Sequence, residues 1–139
     1  PAIELPKSLL ELTDIIIPNE TEAELLTGIS INNESDMKET ATYFLDLGIS
    51  AVLITLGEQG TYCAYQEQYK MIPACNVKAI DTTAAGDTFI GAFLSELNKD
   101  LSNLESAIRL ANQASSLTVQ RKGAQASIPT RKEVEAEYN

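Results

Sequence analysis

The chain has 139 residues and a formal net charge of −10, from 20 Asp and Glu against 10 Lys and Arg; 44% of it is hydrophobic and it contains no His. That length can bury one real core, and the composition is ordinary for a globular protein. The charge disfavours nucleic acid and anionic membrane as partners, so any phosphate must be captured locally by backbone groups or a metal ion, and the lack of His excludes Ser–His and Cys–His catalysis and His-based zinc sites.

Residues 1–12 read as a short, partly helical segment with Leu5, Leu9 and Leu12 on one face. The chain starts at Pro1 without an initiator Met, which fits processing or a fragment. No signal peptide is visible, and no apolar run approaches the ~18 residues of a membrane span. Asp14-Ile15-Ile16-Ile17, ended by Pro18, reads as a buried parallel strand. Asn19-Glu20-Thr21-Glu22 then opens a helix to about Thr27, stopped by Gly28. Asn19 and Glu22 have two readings. One is a capping box, with the Asn oxygen accepting a backbone N–H and Glu22 reaching back. The other is an acidic, amide-bearing edge facing a nucleotide's phosphates and Mg²⁺, because hard oxygen ligands suit that ion.

Asn33 to Leu47 is a second expected helix, with Met37, Ala41, Phe44 and Leu45 on its apolar face and Gly48 as its stop. Ala51-Val52-Leu53-Ile54-Thr55 is a second buried strand, so the two strands and the intervening helices form a βαβ unit with a right-handed crossover. It ends in Leu56-Gly57-Glu58-Gln59-Gly60. Ligands of open α/β sheets gather at such carboxyl ends, and two glycines let a ligand approach; a simple turn accounts for them equally. Thr61–Tyr65 and Gln68–Ile72 read as two antiparallel strands around a polar turn, ended by Pro73. Their tyrosines suit sheet packing; the missing basic residues argue against a nucleic-acid stacking platform. Cys63 and Cys75 lie in apolar surroundings and suit core or strand positions in a reducing compartment such as the cytoplasm.

Val77–Ile80 is a short approach to Asp81-Thr82-Thr83-Ala84-Ala85-Gly86-Asp87-Thr88-Phe89, after which Ile90, Phe93, Leu94 and Leu97 recur at helical spacing. The Ala-Ala-Gly-Asp run therefore sits at the mouth of a helix. N–H groups there have no internal partner, the peptide dipoles add positive charge, and small side chains let an anion approach. An Asp that merely stabilises the helix start remains the plain alternative. Further on, Ser102 and Glu105 are spaced as a capping box, and Leu104, Ala107, Ile108, Ala111 and Ala114 form one narrow face. Arg121 and Lys122 complement a helix end that Gly123 stops, and residues 130–139 are an acidic helix or a frayed end.

The nonapeptide Asp81–Phe89 closely resembles the second signature of the ribokinase-like sugar kinases, the phosphofructokinase-B family. Pro-Asn-Glu-x-Glu at 18–22 resembles that family's Asn-x-x-Glu motif, Thr55–Gly60 its nucleotide loop, and Arg-Lys-Gly-Ala-Gln-x-Ser at 121–127 its loop around a monovalent cation. The resemblance implies an α/β, three-layer αβα fold, mostly parallel with an antiparallel hairpin, of which residues 1–139 are the C-terminal, nucleotide-binding part. It implies Asp87 as catalytic base in contact with the substrate hydroxyl, and Ala84, Ala85 and Gly86 as the anion hole. ATP would be bound by Asn19, Thr55, Leu56, Gly57, Glu58, Gln59, Gly60, Gly86, Asp87 and Asn112, the last by contact with adenine. Glu22 would act indirectly on Mg²⁺. A K⁺ shell would comprise Asp81, Thr83, Thr118, Arg121, Gly123 and Ser127, mostly through backbone oxygens.

The implied activity of the parent protein is ATP-dependent phosphorylation of D-ribose to D-ribose 5-phosphate. In the family the N-terminal half supplies most sugar contacts and the lid strands that form the homodimer. That half is absent, so the resemblance implies a fragment, expected to be inactive alone and prone to association. A kinase of fructose or adenosine and a non-catalytic nucleotide-binding module are the competing expectations. No Gly-x-x-x-x-Gly-Lys-Ser/Thr loop occurs, so this is not a P-loop kinase.

Overall fold

The computed structural model describes residues 3–138. Pro1 and Ala2 of the expected N-terminal segment and Asn139 of the expected tail lie outside them. The chain divides into two compact units: one runs to Gly57 and includes Thr61–Met71, the other holds Glu58–Gly60 and everything from Ile72 onward.

The first unit carries a sheet with strand order β1 (Ile15–Ile16), β2 (Ala51–Thr55), β3 (Thr61–Tyr65), β4 (Gln68–Ile72). β1 pairs parallel with β2, Ile15 against Ala51, and β2 pairs antiparallel with β3, Ala51 against Tyr65. The βαβ unit read from two isoleucine-rich runs is therefore present. The sheet of the described residues is mixed. β1 is its edge and is paired on one side only, so Ile15 and Ile16 are half-buried where full burial was expected. β3 and β4 join through Gln66 and Glu67, both left-handed with φ 48° and 61°. That is the backbone of a tight type I′ hairpin turn, made here without Gly or Asn.

Three helices precede β2. α1 (Lys7–Leu10) is a single turn that buries Leu10; Leu9 and Leu12 are exposed, so the expected leucine face does not form. α2 (Glu20–Thr27) and α3 (Glu34–Asp46) begin at Asn19 and Asn33, whose side chains accept the N–H groups of Glu22 and Asp36. Met37, Ala41 and Phe44 of α3 pack with Val52, Ile54, Leu56, Tyr62 and Ala64 in one core. The hydroxyl of Thr40, on the same helix, is buried with no hydrogen-bond partner among the described residues.

The second unit is helical: α4 (Ala85–Glu96), α5 (Leu104–Val119) and α6 (Arg131–Tyr138). Thr88, Phe89 and Phe93 of α4 are buried, whereas Ile90 and Leu94 are exposed. The apolar stripe expected from periodicity is thus only partly a core face. α5 buries Leu104, Ala107, Ile108, Ala111 and Ala114 as its small-residue pattern requires. The expected Ser102–Glu105 capping box does not form. Asn103 is the N-cap; its side chain accepts the Asn98 N–H at 2.7 Å and donates to Glu96 O at 2.8 Å, bracing the α4–α5 loop. Glu105 pairs with Arg109 at 2.6 Å instead. α6 is docked: Val134 packs with Ala114 and Leu117, and Tyr138 Oη meets Ser116 Oγ at 2.6 Å. No helix among the described residues is long and apolar enough to cross a membrane.

Candidate active site

In the first unit the functional candidates cluster at the carboxyl end of the parallel pair. The Glu22 N–H donates to Asn19 Oδ1 at 2.9 Å, and the Asn19 N–H donates to Glu22 Oε2 at 2.9 Å. The capping reading is therefore a fact of the structure. Asn19 also bridges to Thr55, and the Thr55 N–H donates to Pro18 O at 2.9 Å. The Asn-x-x-Glu turn is so brought against the last residue of β2, where the glycine loop starts. Leu56 is buried, while Gly57 is exposed with φ 55° and open space where a Cβ would stand.

The rest of that loop belongs to the second unit. Glu58 and Gln59 are exposed and Gly60 is buried with φ 112°. A Cβ on Gly60 would lie 2.6 Å from Ala74 N and 2.8 Å from the Pro73 carbonyl carbon, and closer still to Ile72 O. Gly60 is thus required by backbone-to-backbone contact. Asn112 holds the same segment: its Nδ2 donates to Ile72 O and Pro73 O, each at 3.2 Å. The side chain expected at adenine is buried and has its amide N–H groups engaged by these carbonyls.

The turn into α4 is built as an open donor site. Ala84, the N-cap, is left-handed at φ 63° and offers no side-chain cap. The Ala85 N–H donates to Thr82 O at 3.2 Å and the Thr88 N–H to Ala84 O at 2.9 Å. Among the described residues no hydrogen bond uses the N–H of Gly86 or Asp87. Both residues are exposed, so these two donors and the Asp87 carboxylate share one solvent-facing turn. A helix mouth with two adjacent unpaired N–H groups and no bulky side chain accepts an anion.

Asp81 anchors this turn. Its Oδ1 accepts the Thr83 N–H at 2.9 Å and its Oδ2 the Gly123 N–H at 3.0 Å. The Thr83 hydroxyl first, then the Gly123 and Thr83 N–H groups, hold its carboxyl down at about 2, so it stays ionised. Asp81, Thr83 and Gly123 of the expected cation shell are therefore together. Thr118 is buried, with its hydroxyl on Thr88 at 3.0 Å and its carbonyl accepting the Arg121 N–H at 3.0 Å. The Arg121 guanidinium pairs with Glu133 at 2.8 Å, and Ser127, buried, donates to Ala124 O at 2.6 Å. Among the described residues no hydrogen bond joins Thr118, Arg121 or Ser127 to Asp81, whose two oxygens each accept an N–H; an ionised carboxylate oxygen is a ligand type that suits a hard cation.

Sequence reading missed one set of residues. Ser115 of α5 donates to Ala85 O at 2.9 Å, and Val119 O accepts the N–H groups of Ile80 and Asp81 at 2.7 and 3.1 Å. The only sequence signal was hydroxyls at helical spacing on α5, which alone reads as packing.

The sequence pattern of the pfkB family carbohydrate kinases matches residues 1–131. Ribokinase of Staphylococcus aureus is 64% identical over 134 residues, covering 96% of this chain and 44% of that protein. Ribokinase of Haemophilus influenzae is 47% identical over 133 residues, covering 96% and 43%. Among solved structures, Arabidopsis thaliana ribokinase complexed with ribose and ATP superposes with a TM-score of 0.86 at 35% identity, covering 96% of this chain and 43% of that one. Ribokinase of Thermotoga maritima gives 0.85 at 37% identity, covering 95% and 44%. The chain thus spans less than half the length of the relatives it matches, and its architecture is part of the ribokinase-like αβα fold. On the residues matched and the structures shared, the chain belongs to the pfkB family of carbohydrate kinases.

Proposed function

We propose that the whole protein to which these residues belong transfers the γ-phosphoryl group of ATP to D-ribose, giving D-ribose 5-phosphate and ADP. Residues 1–139 are its C-terminal, nucleotide-binding part, and an N-terminal part supplies most sugar contacts, the lid strands and a homodimer interface. By itself this part lacks the sugar site and does not turn over. The observation that carries the reading is the pair of unpaired N–H groups, Gly86 and Asp87, in the same turn as the Asp87 carboxylate.

Phosphoryl transfer needs positioning and charge stabilisation more than covalent chemistry. The Gly86 and Asp87 N–H groups, with Ala84 and Ala85 shaping the turn, receive the charge that develops on the transferred group. The sugar hydroxyl oxygen bonds to the γ-phosphorus, the bond to the β,γ-bridging oxygen breaks, and the hydroxyl proton passes to Asp87. A carboxylate is a weak base for an alcohol, so the proton leaves late, once the oxygen has begun to bond to phosphorus. The loop Thr55–Gly60 borders the nucleotide, and Asn112 fixes the Ile72–Pro73 segment beside Gly60.

Mg²⁺, when bound, neutralises phosphate charge. Asn19 and Glu22 would hold it through water, since the Glu22 oxygen that caps the helix is already engaged. K⁺ would be held by oxygens of Asp81, Thr83, Thr118, Arg121, Gly123 and Ser127; the ionised Asp81 supports this. Ribose is favoured over fructose or adenosine by the relatives named ribokinase. A cytoplasmic location suits two cysteines that form no disulfide.

The test is Asp87→Asn in the whole enzyme. ATP binding is retained and turnover falls by about 10²–10⁴-fold. Near-normal turnover rules out Asp87 as the base.

A further inference from the structure

The mouth of α4 is tied to one face of α5 at successive positions. Ser115 Oγ donates to Ala85 O at 2.9 Å, Thr118 Oγ1 donates to Thr88 Oγ1 at 3.0 Å, and Val119 O accepts the Ile80 and Asp81 N–H groups. Residues at these spacings lie together on a helix surface. The Ser115 bond differs from the others in where it acts. The Ala85 carbonyl and the Gly86 N–H are the two ends of one planar peptide. Holding the oxygen therefore sets the direction of the N–H, and a hydrogen bond to that oxygen polarises the N–H further. Next to the peptide stands Gly86, whose missing Cβ leaves its backbone torsions freer than those of any other residue.

We propose that Ser115 is a positioning residue for phosphoryl transfer. Its hydroxyl fixes and polarises the peptide whose N–H, on Gly86, receives the developing charge. The inference rests on the kinase reading above. Ser115 does not touch a reactant; it acts through the Ala85–Gly86 peptide. A donor that must be in place before charge develops loses value when it can rock, because realignment is then needed in each turnover.

The experiment is steady-state kinetics of the whole kinase carrying Ser115→Ala or Ser115→Thr. Turnover is counted per nucleotide site, titrated with a non-hydrolysable ATP analogue, so that a partly unfolded preparation does not pass for a slow one. Ser115→Ala is expected to lower kcat about three- to tenfold, the range of one neutral hydrogen bond, with KM for ATP and sugar within about twofold. Ser115→Thr keeps the hydroxyl and restores most of the rate. Unchanged kcat in the Ala variant, a rise in KM alone, or equal slowing in the Ala and Thr variants overturns the proposal. Asp87→Asn, run alongside, separates the two possible failures. Normal turnover there removes Asp87 as the base, and with it the placing of the reaction at this turn on which the inference rests; loss of turnover there, with Ser115→Ala normal, removes this inference alone.

Discussion

Gly60→Ala is the substitution whose cost the backbone sets most directly. At φ 112° an L-residue is strained before any contact is considered, by about 1–3 kcal/mol. The added Cβ meets main-chain atoms of Ile72, Pro73 and Ala74, so no side chain can swing aside to relieve it. Ile72 O is nearest of all, so reaching the 3.4 Å of ordinary contact requires the Ile72–Ala74 segment to shift by about an ångström or more. That shift strains the two bonds from Asn112 Nδ2, each contributing about 1 kcal/mol. The expected loss is about 2–5 kcal/mol, a large fraction of the ~5–15 kcal/mol that holds a domain folded. Gly57→Ala is the matched control: the same loop and a positive φ of 55°, but nothing within 4 Å of the new Cβ. It should cost only the left-handed penalty of about 1–2 kcal/mol. Urea unfolding of the three proteins, followed by far-UV circular dichroism, reads the difference. With a slope of about 1–3 kcal/mol per molar urea, Gly60→Ala should unfold about 1–2 M earlier than wild type and clearly before Gly57→Ala. Equal midpoints for the two variants would refute the steric argument.

Two further outcomes follow from single groups. Asp81 titrates at about 2 in the folded chain against 3.8 ordinarily, so its bonds to Thr83 and Gly123 add stability that is complete above about pH 4 and is lost as the pH falls through 2. The gap in urea midpoint between wild type and Asp81→Asn should therefore shrink from pH 5 to pH 2.5, and a constant gap would contradict the assignment. Thr40→Val replaces a buried hydroxyl that has no partner with a methyl of similar shape, and should raise stability by about 1 kcal/mol in thermal or urea unfolding.

Local chemistry made much of this molecule readable. The Asn19-x-x-Glu22 box, the Gly28 stop, the β3–β4 hairpin and the open turn before α4 each involve residues within a few positions of one another. What could not be read depends on partners far along the chain. Ser102 and Glu105 are spaced for a capping box, yet α5 starts after Asn103, whose side chain makes no cap bond and is turned to Asn98 and Glu96 instead. The role of Asn112 in holding the Ile72–Pro73 segment rests on carbonyls some forty positions earlier, which no local pattern shows. Periodicity grouped Ile90 and Leu94 with Phe93, but a period shows only that a face is apolar, not that anything lies over it.

The turn before α4 shows the same division. Its chemistry, unpaired N–H groups beside a carboxylate, is written in four consecutive residues, 84–87. Its rigidity is not. Ala84 holds a left-handed conformation that glycine would adopt without strain, and Gly86 adds slack two residues on. Local bonds hold part of the turn: Asp81 takes the Thr83 N–H, Thr82 O the Ala85 N–H and Ala84 O the Thr88 N–H. The Ser115 and Thr118 hydroxyls, each thirty residues in sequence from the group it meets, add further bonds, together with Val119 and the Asp81–Gly123 bond. A short motif can therefore mark where unpaired donors stand beside a carboxylate, while the bonds that α5 makes to that turn are legible only in the fold.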